Sequence, residues 1–280
     1  MTTFAITGVT GNFGRTAIKH LAQLVPANQI VALARNTAKA QEVVPEGVTV
    51  RAGDYTKPEE LAESLKGVDR LLFISSQPGA PVSRETQHRN VVAAAQKAGV
   101  SFIAYTSFPH ADTSTAPLAD DHKLTEELIV KSGIAHSFLR NNWYLENEAS
   151  TINAAKSGKD FVYSAGKGRA GWALEREYAT AAAEVLATGD TAKEIYEFAG
   201  PARTYEDLAK ATPGDFKVVA VTDAEYQAGL QSAGLDEGTA QLVTSFQTFI
   251  RQGVLDEETT DLQEVLGHEL TPLTEAIKEL

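Results

Sequence analysis

Three glycines mark the first stretch able to do chemistry. Phe4-Ala5-Ile6-Thr7 runs into Gly8-Val9-Thr10-Gly11-Asn12-Phe13-Gly14, and a helical pattern follows. Each glycine meets a separate need where a strand hands over to a helix across an anion. One permits the tight turn, one lets the backbone approach the anion without a Cβ in the way, and one lets the helix pack closely on the sheet. The N–H groups of the first helical turn, Phe13 among them, then face the negative charge. The expected ligand is a pyrophosphate, with Thr10 and Asn12 offering hydrogen bonds to it or within the turn. Glycine spacing alone also fits an unliganded turn; its place between an N-terminal strand and a helix favours a dinucleotide.

The next strand indicates which dinucleotide. Sites for NAD carry an acid about twenty residues past the loop, bonded to the ribose 2′-hydroxyl. Here Ala32-Leu33-Ala34 is followed by Arg35, with Lys39 a turn later. A guanidinium there can stack on adenine and bond a 2′-phosphate, and Lys39 adds charge. NADP(H) is therefore expected over NAD(H), against the plainer reading of two surface cations. Gly53-Asp54-Tyr55 follows the third strand, where Asp54 or Tyr55 can reach the adenine edge. Ser75-Ser76-Gln77 follows the fourth, near the expected ribose or pyrophosphate. Both stretches suit a simple strand-ending turn equally well.

Further polar groups gather at later strand ends. Tyr105-Thr106-Ser107-Phe108-Pro109-His110 closes the fifth strand, Asp120-Asp121-His122-Lys123 lies on the next helix, and Arg140-Asn141-Asn142-Trp143-Tyr144 closes the sixth strand. Thr106 and Ser107 join the expected cofactor contacts. Tyr105, His122 and Asn142 are the candidates for catalysis; Phe108, Trp143 and Tyr144 are candidate substrate walls or ordinary buried aromatics. No metal site is expected, since the histidines show no H-x-x-x-H or H-E-x-x-H spacing. Ser107, His122 and Asp120 could be drawn as a nucleophilic triad, but the G-x-S-x-G elbow is missing.

The elements that must position these groups alternate. Short, continuously apolar runs at 4–7, 29–34, 48–50, 69–74, 101–105 and 134–139 are separated by helical stretches at 14–24, 58–65, 83–98 and 118–131. Continuous runs suit strands covered on both faces, and the alternation predicts a doubly wound parallel sheet of the α/β class. Residues 1–150 then form the nucleotide domain and 151–280 a smaller, mostly helical substrate domain, with an approximate boundary because later segments can re-enter the sheet. Helices are expected at 174–188, 205–211, 223–232, 238–251 and 272–280, with strands at 195–198 and 216–221. The 280 residues are 43% hydrophobic, enough for a large core, and contain no cysteine, which excludes disulfides and thiolate chemistry. A formal charge of −12 without a basic tract argues against nucleic acid. Neither a signal peptide nor a membrane span is expected, which predicts a cytoplasmic monomer or homodimer.

The quoted segments carry a resemblance. Ile6 to Gly14, Ala34 to Ala40, Ile103 to Ser107 with His110 to Ser114, and Leu139 to Tyr144 with Glu146-Asn147 resemble the NmrA-like group of atypical short-chain dehydrogenase/reductases, over essentially the whole chain. The resemblance implies a Rossmann-type domain, a small C-terminal domain and a cleft between them. It also implies NADPH-dependent reduction of quinones by direct hydride transfer, without bound flavin. Relatives in the group reduce triphenylmethane dyes, and others sense the NADP redox state through protein partners, so another conjugated acceptor or a sensor role is the alternative. The wider superfamily's Tyr-x-x-x-Lys pair is absent: Pro109 stands four places after Tyr105, and Glu148 four after Tyr144. A quinone tolerates that loss, being a good hydride acceptor that water or a modest donor can protonate; Asn142 and His122 are the candidates for polarising its oxygen. Replacing Arg35 by Ala is expected to weaken NADPH binding much more than NADH binding. Equal losses in a paired titration would count against the 2′-phosphate contact.

Overall fold

The computed structural model describes residues 1–77, 79 and 81–280. The chain opens with β1 (Phe4–Thr7), α1 (Asn12–Leu24), β2 (Ile30–Ala34), α2 (Thr37–Gln41), β3 (Thr49–Ala52), α3 (Pro58–Ser64) and β4 (Arg70–Phe73). It continues through α4 (Arg84–Ala98), β5 (Phe102–Ser107), α5 (Pro117–Ser132), β6 (Ala135–Asn141), α6 (Ala149–Lys156), β7 (Phe161–Tyr163), β8 (Arg169–Ala170) and α7 (Glu175–Thr188). The remainder is β9 (Ile195–Phe198), β10 (Arg203–Thr204), α8 (Tyr205–Ala211), β11 (Val218–Ala220), α9 (Asp223–Ser232), α10 (Glu237–Arg251), α11 (Asp261–Leu266) and α12 (Leu273–Ala276). These elements make two compact units. The first holds residues 1–141, 175–198 and 261–268; the second holds 142–174, 199–260 and 269–280.

The first unit is a Rossmann-like α/β fold around seven parallel strands in the order β3-β2-β1-β4-β5-β6-β9. The chain builds outward from β1 through β2 to β3, then returns to lay β4 on the other side of β1. The direction of winding thus reverses between β1 and β4, and open sheets of this kind bind ligands outside the strands' carboxyl ends at that point. One face is covered by a core that includes Leu33, Leu61, Leu71, Phe73, Val91, Ala95 and Ile103. On the other face α1 packs on α7, whose buried Ala179, Ala181, Ala182 and Ala183 let the helices approach closely.

Polar strand ends explain where the fold departs from the sequence reading. β5 runs on to Ser107 and β6 to Asn141, each two residues past the apolar run, because Thr106, Ser107, Arg140 and Asn141 are buried despite their polarity. The sheet does not end at β6: β9 pairs in parallel with it from Phe138↔Ile195 to Asn141↔Phe198. α1 starts at Asn12 rather than Gly14, with Gly11 as its cap. α2, α6 and α11 were not anticipated, being short and weakly apolar, while the expected C-terminal helix is only α12 followed by a 3-10 turn at Ile277–Glu279.

The second unit has two small sheets, β8 with β10 antiparallel and β7 with β11 parallel. Tyr163 stacks on Tyr205 at 5.4 Å between ring centres, and reciprocal capping boxes start α8 at Thr204 and α9 at Thr222. Among the described residues no helix is long and apolar enough to cross a membrane. Replacing the fully buried Ile18 of α1 by Ala is expected to destabilise the first unit by about 2–5 kcal/mol, read as a lowered midpoint in urea.

Candidate functional site

The glycine turn is built to bring a helix end against a strand end. Gly8 leaves β1 with φ +65°, in the left-handed region that favours glycine. A Cβ on Gly14 would lie 2.5 Å from the Gly8 carbonyl oxygen and 2.9 Å from Val9 Cα, so no side chain fits there. The Gly11 N–H donates to the Gly8 carbonyl at 3.0 Å and closes the turn. No side chain caps α1, and its first turn holds no acid. Together these leave a helix N-terminus whose partial positive charge suits a phosphate anion.

Across the winding reversal, the segment leaving β4 is pinned by side chains from three other elements. Thr7 Oγ1, at the end of β1, accepts from the Ile74 N–H at 2.9 Å. Thr106 Oγ1 on β5 accepts from the Ser75 N–H at 2.9 Å, and His88 Nε2 on α4 accepts from the Ser76 N–H at 3.0 Å. Three consecutive amides beyond the sheet ladder are thereby satisfied. Sequence reasoning named Thr106 but missed Thr7 and His88.

Tyr105 and His122 come together in a buried cluster. Tyr105 Oη lies 3.0 Å from His122 Nδ1 and 3.5 Å from His88 Nδ1, while Arg84 Nη2 lies 3.2 Å from His122 Nε2. Arg84 also pairs with Asp121 at 3.3 Å, and Phe108 stacks on the His122 ring. His122 thus has both nitrogens engaged inside the first unit. Burial, then the Arg84 guanidinium, then His88 hold its pKa well below the usual histidine range. His88 is pulled down to about 3 by burial first and Arg84 second. Burial pushes the Tyr105 hydroxyl up, so all three groups are neutral at pH 7. Arg84 with His88 on α4, and Asp121 with Thr125 on α5, sit four residues apart, a spacing that could have flagged one polar face on each helix.

The other expected contacts divide. Arg35 and Lys39 are exposed just past β2, and Asn36 Oδ1 accepts from the Lys39 N–H at 2.9 Å to cap α2. Asp54 forms a strand-ending turn by accepting from the Thr56 N–H at 2.9 Å and the Thr56 hydroxyl at 2.7 Å. Partial burial raises its pKa, but the Thr56 bonds with Lys57 and Arg35 outweigh that and leave it below the usual range. The Tyr55 hydroxyl lies 2.5 Å from Thr7 Oγ1 and 2.7 Å from the Ile74 carbonyl, joining the tie between β1 and β4. Ser107 donates to Glu126 Oε1 at 2.6 Å, and Arg140 grips that carboxylate at 3.0 and 2.7 Å while also meeting Glu197 at 3.0 Å.

In the second unit, Asn142 is closed on backbone. Its Oδ1 accepts from the Trp143 and Gly171 N–H groups at 2.9 and 3.1 Å, and its Nδ2 donates to the Leu255 carbonyl at 3.2 Å. Trp143 is buried, with its indole N–H donating to Glu148 Oε1 at 3.1 Å, and Tyr144 is half-buried beside a backbone bridge to Ala173.

A glycine-lined turn, a bare helix end and a winding reversal define a dinucleotide-binding protein of the doubly wound class. Comparison with known proteins carries this further. A sequence profile described as NAD(P)H-binding matches residues 8–169. Quinone oxidoreductase 2 of Escherichia coli (strain K12) is 40% identical, over 99% of this chain and 98% of its own length. The E. coli NADPH-dependent quinone oxidoreductase complexed with NADPH has a TM-score of 0.91 to this fold, covering 99% of both chains. A Citrobacter sp. triphenylmethane reductase complexed with NADP(H) is 37% identical, with a TM-score of 0.92 and 99% of both chains covered. The chain belongs to the NAD(P)H-binding family, in its NmrA-like group.

The cluster also has a consequence for stability. His88 and His122 titrate in the fold below their ordinary 6.5, so in mildly acidic solution the unfolded chain binds more protons. The His88 contribution is complete above about pH 6.5 and is lost as pH falls toward 3. Denaturant midpoints for wild type and His88→Gln, measured from pH 7 to pH 4, are expected to show the flatter curve for the variant; parallel curves would contradict the assignment.

Proposed function

We propose that the protein is an NADPH-dependent oxidoreductase that passes hydride directly to a quinone without a bound flavin. The observation that carries the reading is the 40% identity to E. coli quinone oxidoreductase 2 over nearly the whole of both chains. The glycine turn supports the cofactor independently, because the space a Cβ would need at Gly14 is already taken and the α1 end carries no cap of its own.

The residues fit that cofactor in a definite division of labour. Gly11 to Gly14 would hold the pyrophosphate at the α1 N-terminus. Arg35 and Lys39 would meet the 2′-phosphate, and Ser75 to Gln77 would flank the ribose beside β1. When bound, NADPH supplies the hydride. The chain's part is chiefly to bind, orient and exclude water, which can lower a barrier substantially when reacting atoms are held about 3–3.5 Å apart. His122 bonds to both Tyr105 and Arg84, which fits a role through position better than proton donation. Asn142, held on backbone, fits the same kind of role within the second unit. We assign acceptor selection to that second unit, with Trp143 and Tyr144 as its aromatic contribution.

The likeness to the Citrobacter triphenylmethane reductase favours a second acceptor class, the conjugated dyes. Steady-state NADPH oxidation with a panel of quinones and triphenylmethane dyes, on protein shown spectroscopically to lack flavin, separates these readings. Turnover is expected with quinones. Dye turnover alone would shift the assignment, and cofactor binding with no turnover of any acceptor would replace the enzyme by a redox sensor.

A further inference from the structure

The segment after β4 owes one of its three acceptors to a choice made elsewhere. Thr125 Oγ1 donates its single proton to the Asp121 carbonyl at 2.6 Å. Toward His88 Nδ1, 2.8 Å away, it can therefore only accept. His88 must carry its proton on Nδ1, which leaves Nε2 bare. That nitrogen faces the Ser76 N–H at 3.0 Å and the Ser76 hydroxyl at 3.1 Å. The opposite tautomer, or a protonated ring, would set the ring's N–H against a backbone N–H.

The neighbouring imidazole is fixed by the same logic. Arg84 has only donors, so Nη2 at 3.2 Å makes His122 Nε2 an acceptor and keeps the His122 proton on Nδ1. Tyr105 Oη accepts that hydrogen bond at 3.0 Å. Thr125, having given its hydrogen to the α5 backbone, is the acceptor on which the His88 bond ends. Arg84, His88, Tyr105, His122 and Thr125 are all buried, and the Phe73 ring packs edge-on against His88. A residue left without a partner there would have no ready substitute.

We infer that His88 is a positioning residue for the dinucleotide, with Thr125 selecting its tautomer, and that together they fix the Ser76 amide at the β1–β4 winding reversal. The inference rests on the NADPH reading above and deepens it. Neither side chain is placed against the cofactor; both act through the backbone of Ser76. Thr7 and Thr106 hold Ile74 and Ser75 without any tautomer to choose, so His88 is the switchable member of the three.

The test is calorimetric titration of wild type, His88→Phe, Thr125→Val and Thr125→Ser with NADPH. It is paired with kcat at saturating NADPH and NMR of the imidazole nitrogens. His88→Phe keeps a ring against Phe73 but removes the acceptor; Thr125→Val keeps the shape and removes the oxygen; Thr125→Ser restores the hydroxyl. The Phe and Val proteins are expected to bind NADPH about tenfold more weakly, the worth of roughly one hydrogen bond. Their kcat at saturation should stay within about twofold. Thr125→Ser should bind as wild type does, and only Thr125→Val should show His88 with its proton no longer confined to Nδ1. If His88→Phe does not fold, the Thr125 pair decides alone. Wild-type affinity in Thr125→Val, or a loss confined to kcat, overturns the inference. A wild-type protein that takes up no NADPH overturns the functional reading itself, and the positioning role with it.

Discussion

The close approach of Gly14 to the Gly8 carbonyl is the constraint from which the first unit's architecture follows. With 2.5 Å from an imagined Cβ to that oxygen, the α1 backbone is seated directly over the end of β1. A helix seated there starts with its first-turn amides facing out of the turn, and its cap position, Gly11, carries no side chain to meet them. α1 consequently gives up the stability, typically about 1 kcal/mol, that a Ser, Thr or Asp cap supplies. Packing must compensate, since helices in proteins draw most of their stability from an apolar face. Phe13, Ala17, Ile18 and Leu21 are buried, and the alanine-rich face of α7 lies against α1. A helix that joins the chain late therefore secures the helix that opens it.

Parallel strands raise a second problem at the same rim. The ladder stops where the strands stop, and the next amides need acceptors that the sheet does not supply. Ile74, Ser75 and Ser76 find theirs in a threonine of β1, a threonine of β5 and a histidine of α4. The rim is thus held by side chains, and its geometry depends on hydroxyl and imidazole protons that no apolar pattern encodes. This makes Tyr55, Thr106 and His88 parts of one device, although they lie far apart in sequence.

That division explains what was legible in the residues alone. The glycine spacing, the β-branched strands and the left-handed glycines after α4 and α5 are local signals, and the parallel sheet and the tight turn between β1 and α1 could be read from them. Strand ends were misjudged wherever a polar residue is buried, because Thr106 and Arg140 break an apolar run without leaving the sheet. α11 is harder still: its membership in the first unit is a long-range fact, with intervening segments belonging to the second. His122 was singled out for its residue type, but its surroundings come from α4, α5 and β5 at once, and only the assembled fold shows both nitrogens engaged.

Charge along the rim then sets a direction. On the β5–β6 side the cation is buried and outnumbered: Arg140 meets Glu126, Glu197 and Asp112, which leaves that end net acidic. Past β2, Arg35 and Lys39 are exposed. In a chain of net charge −12, an exposed basic pair at one end of the rim and an acidic cluster toward the other form a gradient across the carboxyl ends of the strands. A dinucleotide with an extra phosphate on its adenosine half and a nicotinamide that becomes cationic on oxidation has the matching asymmetry. For the cofactor proposed above, such a gradient would favour the phosphate toward β2 and the reacting ring toward β5 over the reverse. Because Arg35 and Lys39 stand in solvent, any share of that preference they supply would be screened by salt, whereas the backbone amides at Gly11 to Gly14 are not mobile charges and would keep theirs.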